Sequence, residues 1–135
     1  MRTTTGDGET PSTPRDVKDL RVWRETIELC KAVYQATARF PKEELYGLTA
    51  QMRRAAVAIP SNLAEGRGRG TKKDYRQFVV LARGSASELE TQVIIAEELG
   101  LLAAEASRSL SDHVGQVLRM LYGLSASLSK EDGPA

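Results

Sequence analysis

Histidine and cysteine are almost missing from this chain: His113 and Cys30 are the only ones in 135 residues. A lone cysteine excludes an intrachain disulfide framework and every zinc pattern built on cysteine pairs. A lone histidine excludes a two-histidine metal site, and without a Glu-x-x-His pair nothing suggests a di-iron bundle. Aromatic residues make up only 5%, so interleaved stacking platforms for bases are not in evidence. No run approaches the roughly 18 apolar residues of a membrane span, and the first residues, MRTTTGDGETPSTPRD, lack the apolar core of a secretory signal. A soluble, cytoplasmic protein is the expectation, with no membrane partner. Nor does any segment alternate with period two, so no strand is expected. The formal net charge of +1 gives no global pull toward nucleic acid.

What remains is helical pattern. The length suits one domain with a real core and is too short for two. Residues 1–16 are rich in Thr, Gly, Pro and Ser and cannot offset the entropy of ordering, so they are expected to be a disordered tail, as are residues 130–135. Residues 17–129 should form the bundle domain.

In the first segment Leu20, Trp23, Ile27, Cys30, Tyr34 and Thr37 step by three and four and predict one buried stripe. Asp19 is placed to cap it and Phe40-Pro41 to end it. Leu45, Leu48, Met52, Ala55, Ile59 and Leu63 repeat the rhythm in a second helix that Gly-Arg-Gly-Arg-Gly should stop. Thr71 and Asp74 have capping-box spacing and open a third, striped by Tyr75, Phe78, Ala82, Ser85, Leu89, Ala96 and Leu99, with Gly100 as a left-handed cap. Leu110, Val114, Val117, Leu121, Leu124 and Leu128 mark a fourth. The fold expected is all-α: an antiparallel, up-down-up-down four-helix bundle with helix two bent or broken near Pro60.

Gly84, in the slim run Arg83-Gly84-Ser85-Ala86-Ser87, costs about 1 kcal/mol of helix propensity relative to alanine and predicts a tight helix crossing there, within the bundle or between subunits. The charges are unevenly spread. From Gln51 to Arg83 stand eight cations, Arg53, Arg54, Arg67, Arg69, Lys72, Lys73, Arg76 and Arg83, against Glu65 and Asp74, a balance of +6. From Gly84 to His113, Glu88, Glu90, Glu97, Glu98, Glu105 and Asp112 oppose only Arg108, a balance of −5. Clustered cations beside a glycine-rich turn and a helix start favour phosphate; the same asymmetry suits subunits pairing basic face to acidic face.

No catalytic set emerges. Cys30 lies on an apolar stripe and reads as a small hydrophobe, His113 as a polar surface or core residue. Gly66 to Gly70 lack the preceding strand and the Gly-Lys-Ser/Thr ending of a nucleotide loop. Nothing assembles a base, a nucleophile and an oxyanion stabiliser.

Asp19-Leu20 with Val22-Trp23, Pro41 with Glu44 and Tyr46-Gly47-Leu48, Gln51 with Arg54-Ala55, Ile59-Pro60-Ser61-Asn62 with Ala64-Glu65-Gly66, and Arg83-Gly84-Ser85 with Glu88-Leu89 together resemble the small proteins encoded in intervening sequences of bacterial 23S ribosomal RNA genes. The resemblance spans about residues 18–128. It implies a four-helix bundle that assembles as a homo-oligomeric ring, commonly a pentamer, with no known reaction. It also implies kinship with the accessory proteins of diversity-generating retroelements, basic pentamers that act with a reverse transcriptase and RNA; the net charge of +1 sets this chain apart from that strongly basic type.

The function expected is that of a non-enzymatic, oligomeric bundle without cofactor or metal, binding RNA or another nucleic acid through the eight cations from Arg53 to Arg83. Two other readings stand beside it: a protein-only scaffold of paired charged faces, and a reverse-transcriptase accessory protein.

Overall fold

The computed structural model describes residues 14–131, and side chains from Asp19 to Ser129. Most of the two expected tails falls outside that range. Four helices account for nearly all of it: α1, Pro14–Thr37; α2, Leu48–Gly68; α3, Lys72–Glu98; and α4, Ala104–Glu131, with a single 3-10 turn at Lys42–Glu44. No strand occurs among the described residues. No helix there is long and apolar enough to cross a membrane.

Each helix packs against its chain neighbours, and α1 and α4 close the set. Side-chain contacts link adjacent helices: Asp19 of α1 meets Arg67 of α2, Arg53 of α2 reaches Thr37 of α1, and Arg83 of α3 reaches Ser125 of α4. Between the helices lies one continuous core, with Leu29, Met52, Ile59, Val79, Leu89, Val93, Val117 and Leu121 fully enclosed.

Helix α4 buries all six residues of its expected stripe. Helix α1 does not. It turns Asp19, Val22, Thr26, Leu29, Val33 and Thr37 inward, leaving Leu20 and Tyr34 exposed and Trp23, Ile27 and Cys30 half-buried at the flank. The expected stripe is thus rotated by about one residue, or about 100°. Polar Asp19 and Thr26 on the buried line hid it, while Thr37 is buried as expected; Thr26 and Thr37 bond the carbonyls of Trp23 and Val33 at 2.6 and 2.8 Å, which lets hydroxyls enter the core without an unsatisfied donor. Asp19 is no N-cap, since the helix starts five residues earlier.

Helix α2 begins at Leu48, after the 3-10 turn, so Leu45 stays exposed. It then runs through Pro60 without a break, which leaves only the bend of the two expected alternatives. Proline removes the N–H that would bond the Ala56 carbonyl. The Cys30 thiol takes that place, donating to the Ala56 oxygen at 3.1 Å. A residue read as a plain hydrophobe therefore satisfies an acceptor that the proline frees. The Asn62 side-chain amide donates back to the Ala58 carbonyl at 2.9 Å.

In α3 the buried line is Tyr75, Val79, Ala82, Ala86, Leu89, Val93 and Ala96; Phe78 and Ser85 are half-buried and Leu99 is exposed. Its caps match expectation. The Thr71 hydroxyl accepts from the Asp74 N–H at 3.1 Å. Gly100, at φ +78°, closes the other end, with the Leu101 N–H on the Ala96 carbonyl at 2.8 Å. That pattern needs a residue comfortable in the left-handed region.

Within the chain, no tight crossing forms at Gly84. A Cβ on Gly84 would meet no atom within 4 Å, whereas one on Gly66 would fall 2.5 Å from the Cβ of Phe78 and 3.2 Å from the Tyr75 ring. The α2–α3 approach is therefore set by Gly66, near the shared turn, where two converging helices leave no room for a side chain.

Candidate nucleic-acid interface

The α2–α3 turn brings five of the eight predicted cations together. Arg67 ends the last turn of α2, Arg69 is its C-cap, Gly70 reverses the chain at φ +92°, and Lys72 and Lys73 open α3, with Arg76 one turn further on. Close packing of Gly66 on Phe78 forces these residues into one end of the bundle. The Lys72 and Lys73 N–H groups belong to the first turn of α3, where helix donors and the positive dipole end favour an anion.

Two of the cations are oriented by carboxylates. An Arg67 Nη1 sits 3.1 Å from Asp19 Oδ2; the Asp19 side chain is 3% exposed and that of Arg67 48%. The inner side of this guanidinium thus neutralises a buried charge, and the outer side reaches solvent. Tyr75 joins the pair through hydrogen bonds to Asp19 and Arg67. Burial, and then the Asp19 charge, push its hydroxyl well above the ordinary tyrosine range, outweighing the opposite pull of Arg67. It stays a neutral donor. Arg69 pairs with Glu65 at 3.0 Å and lies over the Phe78 ring at 4.9 Å from its centre. A shallow hollow of about 160 Å³, lined by Arg67, Gly70, Thr71, Lys72 and Tyr75, opens beside Arg67.

Three predicted residues lie apart from this end. Arg53 is drawn to the C-terminus of α1, donating to Thr37 Oγ1 at 2.8 Å and stacking on Tyr34 at 4.4 Å. Arg54 is exposed along α2. Arg83 stacks on Tyr122 at 3.9 Å, against α4, and donates to Ser125 Oγ at 3.5 Å. Arg53 and Arg83 join helices within the chain.

The sequence reading missed Asp19 and Tyr75 as the support beneath Arg67. Nothing local reports that contact, since 48 residues separate Asp19 from Arg67.

The two residues considered for catalysis are also engaged. Burial raises the Cys30 thiol to about 11 from an ordinary 9.0, opposite to what a nucleophile needs. His113 Nε2 lies 2.9 Å from Glu25 Oε2 and ties α4 to α1. Among the described residues no three His, Cys, Asp or Glu converge as metal ligands.

A family model described as 23S rRNA-intervening sequence protein matches residues 18–123. Among solved structures, the chain is similar to a protein of unknown function from the S23 ribosomal protein family of Bacteroides thetaiotaomicron VPI-5482. The superposition has a TM-score of 0.74 at 16% identity, covering 81% of this chain and 98% of the other. At that identity the likeness is one of fold. No match is found among curated proteins.

Proposed function

The chain belongs to the 23S rRNA-intervening sequence protein family, and on that premise we propose that it is a cytoplasmic, non-enzymatic protein that binds RNA through the cations of the α2–α3 turn. The observation that carries this reading is the gathering of Arg67, Arg69, Lys72, Lys73 and Arg76 around Gly70 and the start of α3. These residues, close in sequence, form one basic end, where side-chain charge and backbone donors act on the same anion. The contacts it offers are to phosphate. Tyr75 is buried and Phe78 half-buried beneath Arg69, so bases have little ring surface to stack on and recognition rests on the RNA backbone.

The non-enzymatic part of the proposal draws on the engaged states of Cys30 and His113. A self-associating scaffold is the second reading, supported by apolar side chains that α3 exposes to solvent. As a protein-only scaffold it would bind no RNA, so it competes with the first reading.

Fluorescence anisotropy with labelled single-stranded RNA tests the proposal. Arg69→Glu/Lys72→Glu/Lys73→Glu should weaken binding by at least tenfold at low salt, while Arg54→Glu leaves it within about twofold. Failure of the unaltered protein to bind RNA at micromolar concentration, or equal losses in both variants, would reject it.

A further inference from the structure

We propose that Tyr122 is a base-stacking contact for RNA, met by a strand that leaves the α2–α3 turn and follows the seam between α3 and α4. This rests on the RNA reading of the turn and adds a contact to bases. Tyr122 is 53% exposed on α4. The Arg83 guanidinium covers one side of its ring, 3.9 Å from the centre, so the exposed part is the other face and the edge. A ring held in this way gives up little freedom when a base stacks on it. Within the chain Arg83 has few other contacts. Its Nε is buried without an acceptor, and its Nη1 reaches Ser125 Oγ only at 3.5 Å. A buried donor left without a partner calls for a reason, and holding Tyr122 ready for a ligand supplies one.

Position and charge identify the occupant as a nucleic-acid strand. Arg83 follows Arg76 by seven residues, two helical turns or about 10 Å along the same line of α3. The seam therefore begins where the basic end stops. Residues 75–87 of α3 and 114–129 of α4, joined through Arg83 and Tyr122, include Arg76, Arg83 and Arg119 and no carboxylate. Arg119 is exposed one turn from Tyr122. On the way from Lys73 to Arg83, a hollow of about 340 Å³ bounded by Arg76, Gln77, Val80 and Leu81 gives room for a ribose or base. The other exposed tyrosines lack this setting: Tyr34 stands with Arg53 near the end of α1, and Tyr46 follows Glu43 and Glu44. Stacking on a ring is tolerant of sequence, so the contact adds affinity without selecting bases. It favours single strands, whose bases are free to splay out.

The test uses the full chain in fluorescence anisotropy, comparing labelled single-stranded RNA with an abasic strand of the same length. Tyr122→Ala and Tyr122→Leu, with unchanged helical circular dichroism, should bind the RNA about fivefold or more weakly and the abasic strand within about twofold of the unaltered protein. Tyr122→Phe, which keeps the ring, should retain RNA affinity. Arg83→Lys, which keeps the charge and gives up the planar cover, should show a smaller loss confined to the base-bearing strand. Unchanged RNA affinity in Tyr122→Ala, or equal losses on the two strands in these variants, overturns the stacking contact. The reading of the turn then still stands if Arg69→Glu/Lys72→Glu/Lys73→Glu weakens binding to both strands. An unaltered protein that binds no RNA overturns both.

Discussion

Gly66 and Gly84 sit on the two helices that share the α2–α3 seam, yet a methyl group added to one would collide with Phe78 and to the other would touch nothing. Gly66 is where the chain is tight, and the basic end exists because it is tight. Gly84 lies on the open side of α3, among exposed apolar residues. A glycine in a helix thus has two meanings that composition cannot separate: one admits a neighbour already present in the fold, the other leaves room on a free surface. Only the direction in which each faces decides.

The contrast breaks most visibly at the tight site. Gly66→Val should destabilise the protein by about 2–3 kcal/mol, because Phe78 and Tyr75 must move and overpacking exceeds the gain in helix propensity. Urea denaturation measures it, and the variant should also lose RNA affinity as the turn shifts. An unchanged midpoint would mean that the seam tolerates a side chain.

The α1–α2 seam offers a smaller effect. Cys30→Ala should cost about 1–2 kcal/mol by stripping the Ala56 carbonyl of its donor, and the loss should shrink when Pro60→Ala restores a backbone N–H. The same thiol gives a pH signature. Its proton is held to about 11 in the folded chain against 9.0 ordinarily. Between these values the unfolded chain binds fewer protons, so stability falls as pH rises from 9 toward 11. In Cys30→Ala this component of the fall should be absent. Parallel curves for the two proteins would remove the thiol from the account.

The open site should respond with the smallest change and the opposite sign. Gly84→Ala is expected to raise single-chain stability by about 0.5–1 kcal/mol, the propensity gain alone. Measured at concentrations below any self-association, a loss instead would show that Gly84 packs against something in the fold.

The helices were legible because their signals are local: the Thr71 cap, the Gly100 reversal and the six-residue stripe of α4 all depend on neighbours within a turn or two. The face of α1 was not legible. Thr26 on its buried line is masked by a bond to its own helix, and Asp19 imitates a cap while its partner lies on α2. The basic cluster was half legible for the same reason. Sequence proximity grouped Arg53 with Arg67, but fourteen helical residues put about 21 Å between them, and the fold then turned Arg53 to the end of α1. Pro60 looked like an interruption because its compensation, Cys30, comes from another helix.

The central claim is that the basic end at the α2–α3 turn meets RNA phosphates. The dependence of RNA affinity on salt tests it most directly, for the unaltered protein beside Lys72→Glu/Lys73→Glu. Log affinity should fall linearly with log salt, by a slope of about 3 for four to five phosphate contacts, and the double variant should lower this slope by about 1.4. An affinity indifferent to salt, or a slope the variant leaves untouched, would contradict it.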